Sequence, residues 1–198
     1  MNTRQLPVYA SESACAFLRS NGPWSQLVSL GNIALRPIAV APGGGPPLRL
    51  SPRLSAEPAL VPHRSEFSDT LAFTLRGPAG RALFYCPDID SWAQWEALPA
   101  AAGGRSLADV VRAADVSLLD ATFFSGEELP GRDLSEIPHP FVTDMLARLP
   151  PREALAGREV VLVHLNHTNP AWQEGSAARA ACAAAGARVG REGWSWQL

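Results

Sequence analysis

Apolar residues along this chain fall in short runs broken by Gly- and Pro-rich stretches, a pattern of strands first and helices later. Leu6-Pro7-Val8-Tyr9-Ala10 reads as a short strand only a few residues in, followed by a helix over 12–19. A lone strand needs partners, so this opening looks like the middle of a domain. Residues 33–40 form a second apolar run, in which Pro37 marks an edge or a bulge. The stretch 42–58 is headed by Gly43-Gly44-Gly45 and rich in Gly, Pro and Arg, which predicts a loop without regular structure. Ala59-Leu60-Val61-Pro62 is a short strand ending at His63. Residues 70–75 and 81–85 are two strands joined by a hairpin signal, Gly77-Pro78-Ala79-Gly80.

Beyond residue 86 the pattern alternates. A helical stretch carries Trp92 and Trp95, and a short helix covers 107–113. Residues 116–119 are a buried strand that delivers Asp120. A helix over 141–149 stops at Pro150-Pro151, and 160–163 is a buried strand that delivers His164. Ser176 caps a helix running through Ala185, closed by Gly186, and 188–196 reads as a last strand. Hairpins followed by alternation predict an α/β chain with a mixed sheet and helices on one face.

The length of 198 residues suits one domain, and residues 1–198 are read as a single one. A hydrophobic fraction of 46% supplies a core and excludes a disordered chain. A net charge of −2 argues against nucleic acid or an acidic membrane surface as partner. The 17 basic residues are all Arg, which fits codon bias beside abundant Ala, Pro and Gly. Cys15, Cys86 and Cys182 are odd in number and far apart, which excludes a disulfide framework or cysteine knot for zinc and favours a reducing cytoplasm. Neither a signal peptide nor a membrane-spanning run is visible.

The chain has four histidines, His63, His139, His164 and His167, none inside a predicted strand or helix. His63 and His164 directly follow short apolar strands, and Asp88 and Asp120 do the same. Side chains at strand ends are held by a rigid sheet yet project into loops, where ligands bind. One such residue is an ordinary turn or cap; four in one short chain point to a site. Imidazole and carboxylate without thiolate are ligands for zinc, non-haem iron or manganese.

The stretch Val61-Pro62-His63-Arg64-Ser65-Glu66-Phe67-Ser68-Asp69-Thr70 resembles the metallo-β-lactamase segment in which a ligand histidine precedes a strand. Tyr85-Cys86-Pro87-Asp88 resembles the segment supplying the bridging carboxylate, Leu119-Asp120-Ala121-Thr122-Phe123-Phe124 the strand end that follows, and Val163-His164-Leu165-Asn166 the final ligand histidine. A closer resemblance is to the coenzyme PQQ synthesis protein B group. It rests on residues 119–124, on Glu136-Ile137-Pro138-His139-Pro140 and on His164-Leu165-Asn166-His167-Thr168-Asn169-Pro170, and extends over roughly residues 6–196. The resemblance implies an αββα sandwich, here mainly its C-terminal half, and a divalent metal, zinc first and iron second. It implies His63, Asp88 and His164 as metal ligands, His139 as proton donor or substrate contact, and Asp120 as the group orienting a ligand or water.

The early His-x-His-x-Asp-His motif of that superfamily, or its Asp-His form, belongs upstream of Leu6, and Met1 to Gln5 do not hold it. The expectation is a partial domain, a fragment or a mis-started product. Its partner, or a second copy, would cover the missing half. Three functions follow from the resemblance. The first is a metal-dependent role in PQQ synthesis on a small-molecule or peptide-derived substrate, by oxidation of a tyrosine-derived precursor or by PQQ transport. The second is a hydrolase such as a phosphodiesterase, and the third a non-catalytic relative without metal. Among the remaining residues, His167, Asn166 and Asn169 are read as loop-shaping, Arg64 as an ion-pair or carboxylate-binding group, and the tryptophans as core or interface.

Overall fold

A computed structural model describes residues 4–198. Met1–Thr3, the first part of the opening that lacks the early motif, lie outside the described residues. Strands β1 (Leu6–Ala10) and β2 (Ile33–Pro37) pair in parallel as a separate two-stranded sheet, with Leu6 beside Ile33 and Ala10 beside Pro37. Helices α1 (Glu12–Ser20) and α2 (Trp24–Ser29) make the crossover between them. The Ser11 side chain caps α1 by accepting from the Ala14 N–H. Helix α2 is not among the elements expected from the sequence, although Trp24, Leu27 and Val28 stand at helical spacing; it is short, and none of its six residues is buried.

The main sheet has seven strands in sequence order: β3 (Leu48–Ser51), β4 (Leu54–Leu60), β5 (Leu71–Arg76), β6 (Ala82–Cys86), β7 (Val116–Asp120), β8 (Glu159–Val163) and β9 (Ala187–Val189). From β3 to β6 neighbours are antiparallel; from β6 to β9 they are parallel. Parallel neighbours need crossovers. These contain α3 (Trp92–Ala97) and α4 (Leu107–Ala113) after β6, α5 (Val142–Arg148) after β7 and α6 (Ala177–Ala184) after β8. Ser91, Ser106 and Ser176 each cap the helix they precede.

Period-two alternation sorts the strand side chains between two faces. Val160 and Leu162 of β8 point to the helices, joining Phe84, Leu119, Trp92, Trp95, Val111 and Met145 in the larger core. Replacing Leu119 or Leu162 by Ala costs about 2–5 kcal/mol, the loss for a fully buried leucine. Val161 of β8 points the other way, with Leu83 and Val116, and this second face is covered by Trp194, Trp196 and Leu198. The seven-stranded sheet carries helices on one face, as one half of an αββα sandwich does, and the β1–β2 pair forms a second, smaller sheet.

Two sequence expectations need correction. The stretch 42–58 is not a loop throughout, since β3 and most of β4 lie in it as a hairpin turning at Pro52-Arg53. Pro58 is tolerated in β4 because β3 pairs only as far as Ala56, so the missing N–H interrupts no ladder there. The last strand is also shorter than 188–196, ending at Val189. Gly193 turns the chain at φ +85°, and Trp194, Trp196 and Leu198 then lie on the sheet's second face.

Candidate metal centre

Topology explains why four distant residues meet. Strands β6, β7 and β8 run in parallel, so their carboxyl ends share one rim; Cys86 lies beside Leu119, and Asp120 beside Val163. Strand β4 is two reversals from β6 and runs the same way, so its end also reaches that rim. Asp88 follows β6, Asp120 closes β7, His164 follows β8, and His63 follows β4. Ligands bind outside the carboxyl ends of parallel strands because side chains and loops converge there. His139 arrives from the loop after β7, brought back by the N–H groups of Val142 and Thr143, which donate to the carbonyls of Phe123 and Phe124.

Asp88, Asp120, His139 and His164 each offer one ligand atom, and these atoms all lie within 4.8 Å of one another. His63 stands beside this group, its Nε2 3.6 Å from Asp88 Oδ1, while His164 Nδ1 lies 3.7 Å from the same oxygen. The ring centroid of His139 is 5.5 Å from that of His63 and 5.6 Å from that of His164. The structure thus brings all five sequence-predicted site residues to one rim.

Asp120 is the buried anchor, with its side chain fully enclosed. His139 Nδ1 donates to its Oδ2 at 2.7 Å, and Ile89 N–H donates to the same oxygen at 3.2 Å. The N–H and hydroxyl of Thr122 donate to Oδ1 at 3.0 and 2.7 Å. Burial pushes the Asp120 carboxyl up, but the imidazoles of His139 and His164 and the Thr122 hydroxyl outweigh it and hold it below the usual carboxylate range. His164 is held above its ordinary value by Asp120, against the pull of partial burial and with help from Asp88. Its Nδ1 sits 3.9 Å from Asp120 Oδ1, too long for a hydrogen bond, so the attraction is one of charge. Burial, Asp120 and Asp88 raise the Cys86 thiol above its ordinary range.

His164 has φ +61°, the left-handed region that non-glycine residues avoid. Backbone bonds on either side hold it there: Ala121 N–H to Val163 O and Asn166 N–H to Thr122 O. Strain of this kind persists where the surroundings over-determine it, and it clusters at functional sites. Asn169, buried, donates to Ala121 O at 2.8 Å and accepts from Ala171 N–H at 2.9 Å, so it shapes the loop as expected. His167 bonds Asn166 at the surface. Trp92 and Trp95 are core.

Sequence reading did not single out Asp90 or Thr122. Asp90 Oδ1 is 2.8 Å from His63 Nδ1. The Thr122 hydroxyl is 3.2 Å from His139 Nδ1 and 3.1 Å from His164 Nδ1. The spacing Asp88-x-Asp90 places two carboxylates after one strand and was the available signal for the first; Thr122 lies in the 119–124 stretch that carries the resemblance, with no role assigned to it there. A cleft of about 400 Å³ opens beside His63, lined by Leu60, Pro62, Asp69, Thr70 and Leu98. Another, of about 310 Å³, opens beside His164, lined by Leu165, Trp172, Trp194 and Trp196. No described helix is long and apolar enough to cross a membrane.

No family model matches the chain. It is 27% identical over 214 residues to coenzyme PQQ synthesis protein B of Nitrosococcus oceani, covering 96% of this chain and 65% of that protein. It is 31% identical over 169 residues to coenzyme PQQ synthesis protein B of Azotobacter vinelandii, covering 77% of this chain and 50% of that protein. The crystal structure of Zn²⁺-bound PqqB from Methylobacterium extorquens superposes with a TM-score of 0.69 at 21% identity, over 98% of this chain and 63% of that one. Unliganded yeast PDE1 gives 0.59 at 10% identity, over 98% and 60%. This chain therefore spans between half and two thirds of the length of these proteins. The similarity in fold and in sequence makes it a metallo-β-lactamase-fold protein that resembles coenzyme PQQ synthesis protein B.

Proposed function

We propose that this rim binds a divalent metal through His63, Asp88 and His164 and acts on a small-molecule or peptide-derived precursor in coenzyme PQQ synthesis. The observation that carries this reading is the convergence of Asp88, Asp120, His139 and His164 within 4.8 Å, with His63 beside them 3.6 Å from Asp88, in a chain similar to coenzyme PQQ synthesis protein B. Two pairs of the proposed donors have the spacing of ligands on one metal. Nitrogen and oxygen atoms 2.0–2.2 Å from one ion lie about 3–4 Å apart. The Asp88–His63 and Asp88–His164 separations of 3.6 and 3.7 Å fall in that range. Zinc is the first candidate, as in the PqqB of Methylobacterium extorquens, and two imidazoles with one carboxylate also suit iron.

When bound, a divalent cation supplies Lewis acidity and brings a coordinated water to a pKa of about 7. The chain supplies the rest. Asp120 accepts from His139 Nδ1 and so fixes its tautomer, which leaves Nε2 free to take or give a proton at the substrate. Ionised Asp120 also stabilises the imidazolium that proton uptake creates. Oxidation of a tyrosine-derived precursor is the first reading of the reaction; it requires iron rather than redox-inert zinc at the site and dioxygen as the oxidant and source of the added oxygen. Hydrolysis is the second, favoured by the same carboxylate–imidazole pair, which suits protonation of a leaving group. Three buried free cysteines support a reducing cytoplasm as the compartment.

The test is metal analysis of the purified chain beside His63→Ala and Asp88→Ala, followed by mass spectrometry of a tyrosine-derived precursor incubated with the loaded chain. Near-stoichiometric metal in the parent and its loss in both variants support the site. Gain of oxygen by the precursor supports oxidation, gain of water with cleavage supports hydrolysis, and an unchanged precursor favours transport. A chain that binds no metal sinks the reading.

A further inference from the structure

His63 lies between two carboxylates, one at each ring nitrogen. Asp90 Oδ1 is 2.8 Å from Nδ1, a hydrogen bond; Asp88 Oδ1 is 3.6 Å from Nε2, beyond hydrogen-bond range. The pairing is built into the fold. His63 leaves the end of β4 and Asp90 follows β6, two strands that are not neighbours, with β5 between them. The loops that carry them are tied by a backbone bond of 2.7 Å from Asp90 N–H to Pro62 O, which sets the two side chains side by side. Both are largely enclosed: the side chains of His63 and Asp90 keep 16% and 28% of their exposure.

From this geometry we infer that Asp90 is a positioning residue: it accepts the hydrogen bond of the His63 Nδ1–H, keeps the proton on that nitrogen, and so commits Nε2, with its free lone pair, to the metal rim beside Asp88. A neutral imidazole carries one proton, and the nitrogen that donates decides which one is left to coordinate. Without Asp90 the ring rotates about its bonds to Cβ and shares the proton between both nitrogens, so the fraction ready to bind falls. The Asp88 separation of 3.6 Å from Nε2 is the spacing of two ligands on one ion, not of a hydrogen-bonded pair. This inference rests on the metal-binding reading for its consequence, but not for its geometry.

The experiment therefore has two arms. The first uses the metal-free chain at a pH where imidazole is neutral, and reads the His63 ring nitrogens by ¹⁵N NMR. The parent is expected to show the Nδ1–H tautomer, and Asp90→Ala a mixture or the Nε2–H form. An Nε2–H parent overturns the inference whether or not metal binds. The second arm measures Zn²⁺ affinity of the parent, Asp90→Ala, Asp90→Asn, His63→Ala and the double variant His63→Ala/Asp90→Ala. Asp90→Ala is expected to weaken binding about 10–100-fold, the usual cost of losing such a support, with partial rescue in Asp90→Asn, whose amide oxygen still accepts. In the His63→Ala background, titrated at Zn²⁺ concentrations high enough to fill the weakened site, Asp90→Ala is expected to cost nothing further. An equal loss in both backgrounds would show that Asp90 acts on Asp88 or on the loop instead. Zn²⁺ binding by none of the chains, with the Nδ1–H tautomer present, would sink the metal reading and leave the tautomer assignment standing.

Discussion

At the rim where β6 and β7 begin, Asp115 Oδ2 accepts the Ala82 N–H at 2.8 Å, and its own N–H donates to Ala82 O at the same distance. Where those strands end, Asp120 accepts instead from His139, with His164 nearby. The first carboxylate is consumed by backbone and starts a strand pair. The second receives backbone bonds from Ile89 and Thr122 and still holds imidazoles. Entry and exit of one strand thus divide two jobs between residues of the same type. The difference comes from direction: strand exits bring the connecting loops and their side chains together, whereas the entry rim is closed by Asp115, Glu159 N–H and the Arg158 guanidinium on Ala114 O.

The largest expected effect breaks the exit rim. Asp120→Ala leaves His139 and the N–H groups of Ile89 and Thr122 without their acceptor, and should destabilise the chain by about 3–5 kcal/mol in denaturant titration while abolishing metal uptake. Asp115→Ala should cost about 1–3 kcal/mol and leave metal affinity unchanged; equal loss of metal in both variants would break the contrast. Next comes His164→Gly. Relief of the strained φ offsets the lost contacts, so stability should move by less than about 1 kcal/mol while Zn²⁺ affinity falls at least tenfold. A large loss of stability would instead make His164 a structural residue.

Acid and base titrations of the metal-free chain sharpen the same contrast. The folded pKa of Asp120 lies below its unfolded value, so its contribution is full above the ordinary carboxylate pKa of about 3.9 and is lost as pH falls through the folded value. The folded pKa of His164 lies above its unfolded value of about 6.5, so its contribution is full below that pH and is lost as pH rises through the folded value. Asp120→Asn should reduce the acid limb of the stability profile and His164→Gln should flatten the neutral limb, the latter weakly because His164 is nearly half exposed. The smallest effect belongs to the entry rim. Arg158→Ala should cost about 1 kcal/mol through its bond to Ala114 O, with no change in metal affinity.

The parallel half of the sheet was legible because its strands are buried on both faces and read as continuous apolar runs: 116–119 and 160–163 stand out, and the residues after them announce themselves. The antiparallel edge was harder. In β3 only Leu48 is even partly buried, and β4 carries Pro58, so composition suggested a loop where pairing makes a hairpin. The segment after Val189 misled in the opposite sense. Trp194, Trp196 and Leu198 alternate like a strand because they cover the sheet's second face, while the ladder ends at Val189. Thr122 and Asp90 left little trace, since a hydroxyl bridging two imidazoles and a carboxylate fixing a tautomer depend on neighbours far along the chain.

The sequence by itself determined which residues could carry chemistry: a few imidazoles and carboxylates, each placed directly after an apolar run that had to become a strand. Local chemistry suffices for that, because burial and periodicity are properties of neighbouring residues. Only the tertiary structure decided that they meet, which carboxylate serves which imidazole, and that His164 is held in a strained conformation. Those outcomes depend on strand direction and register across residues as far apart as His63 and His164, a relation between segments that no local pattern encodes.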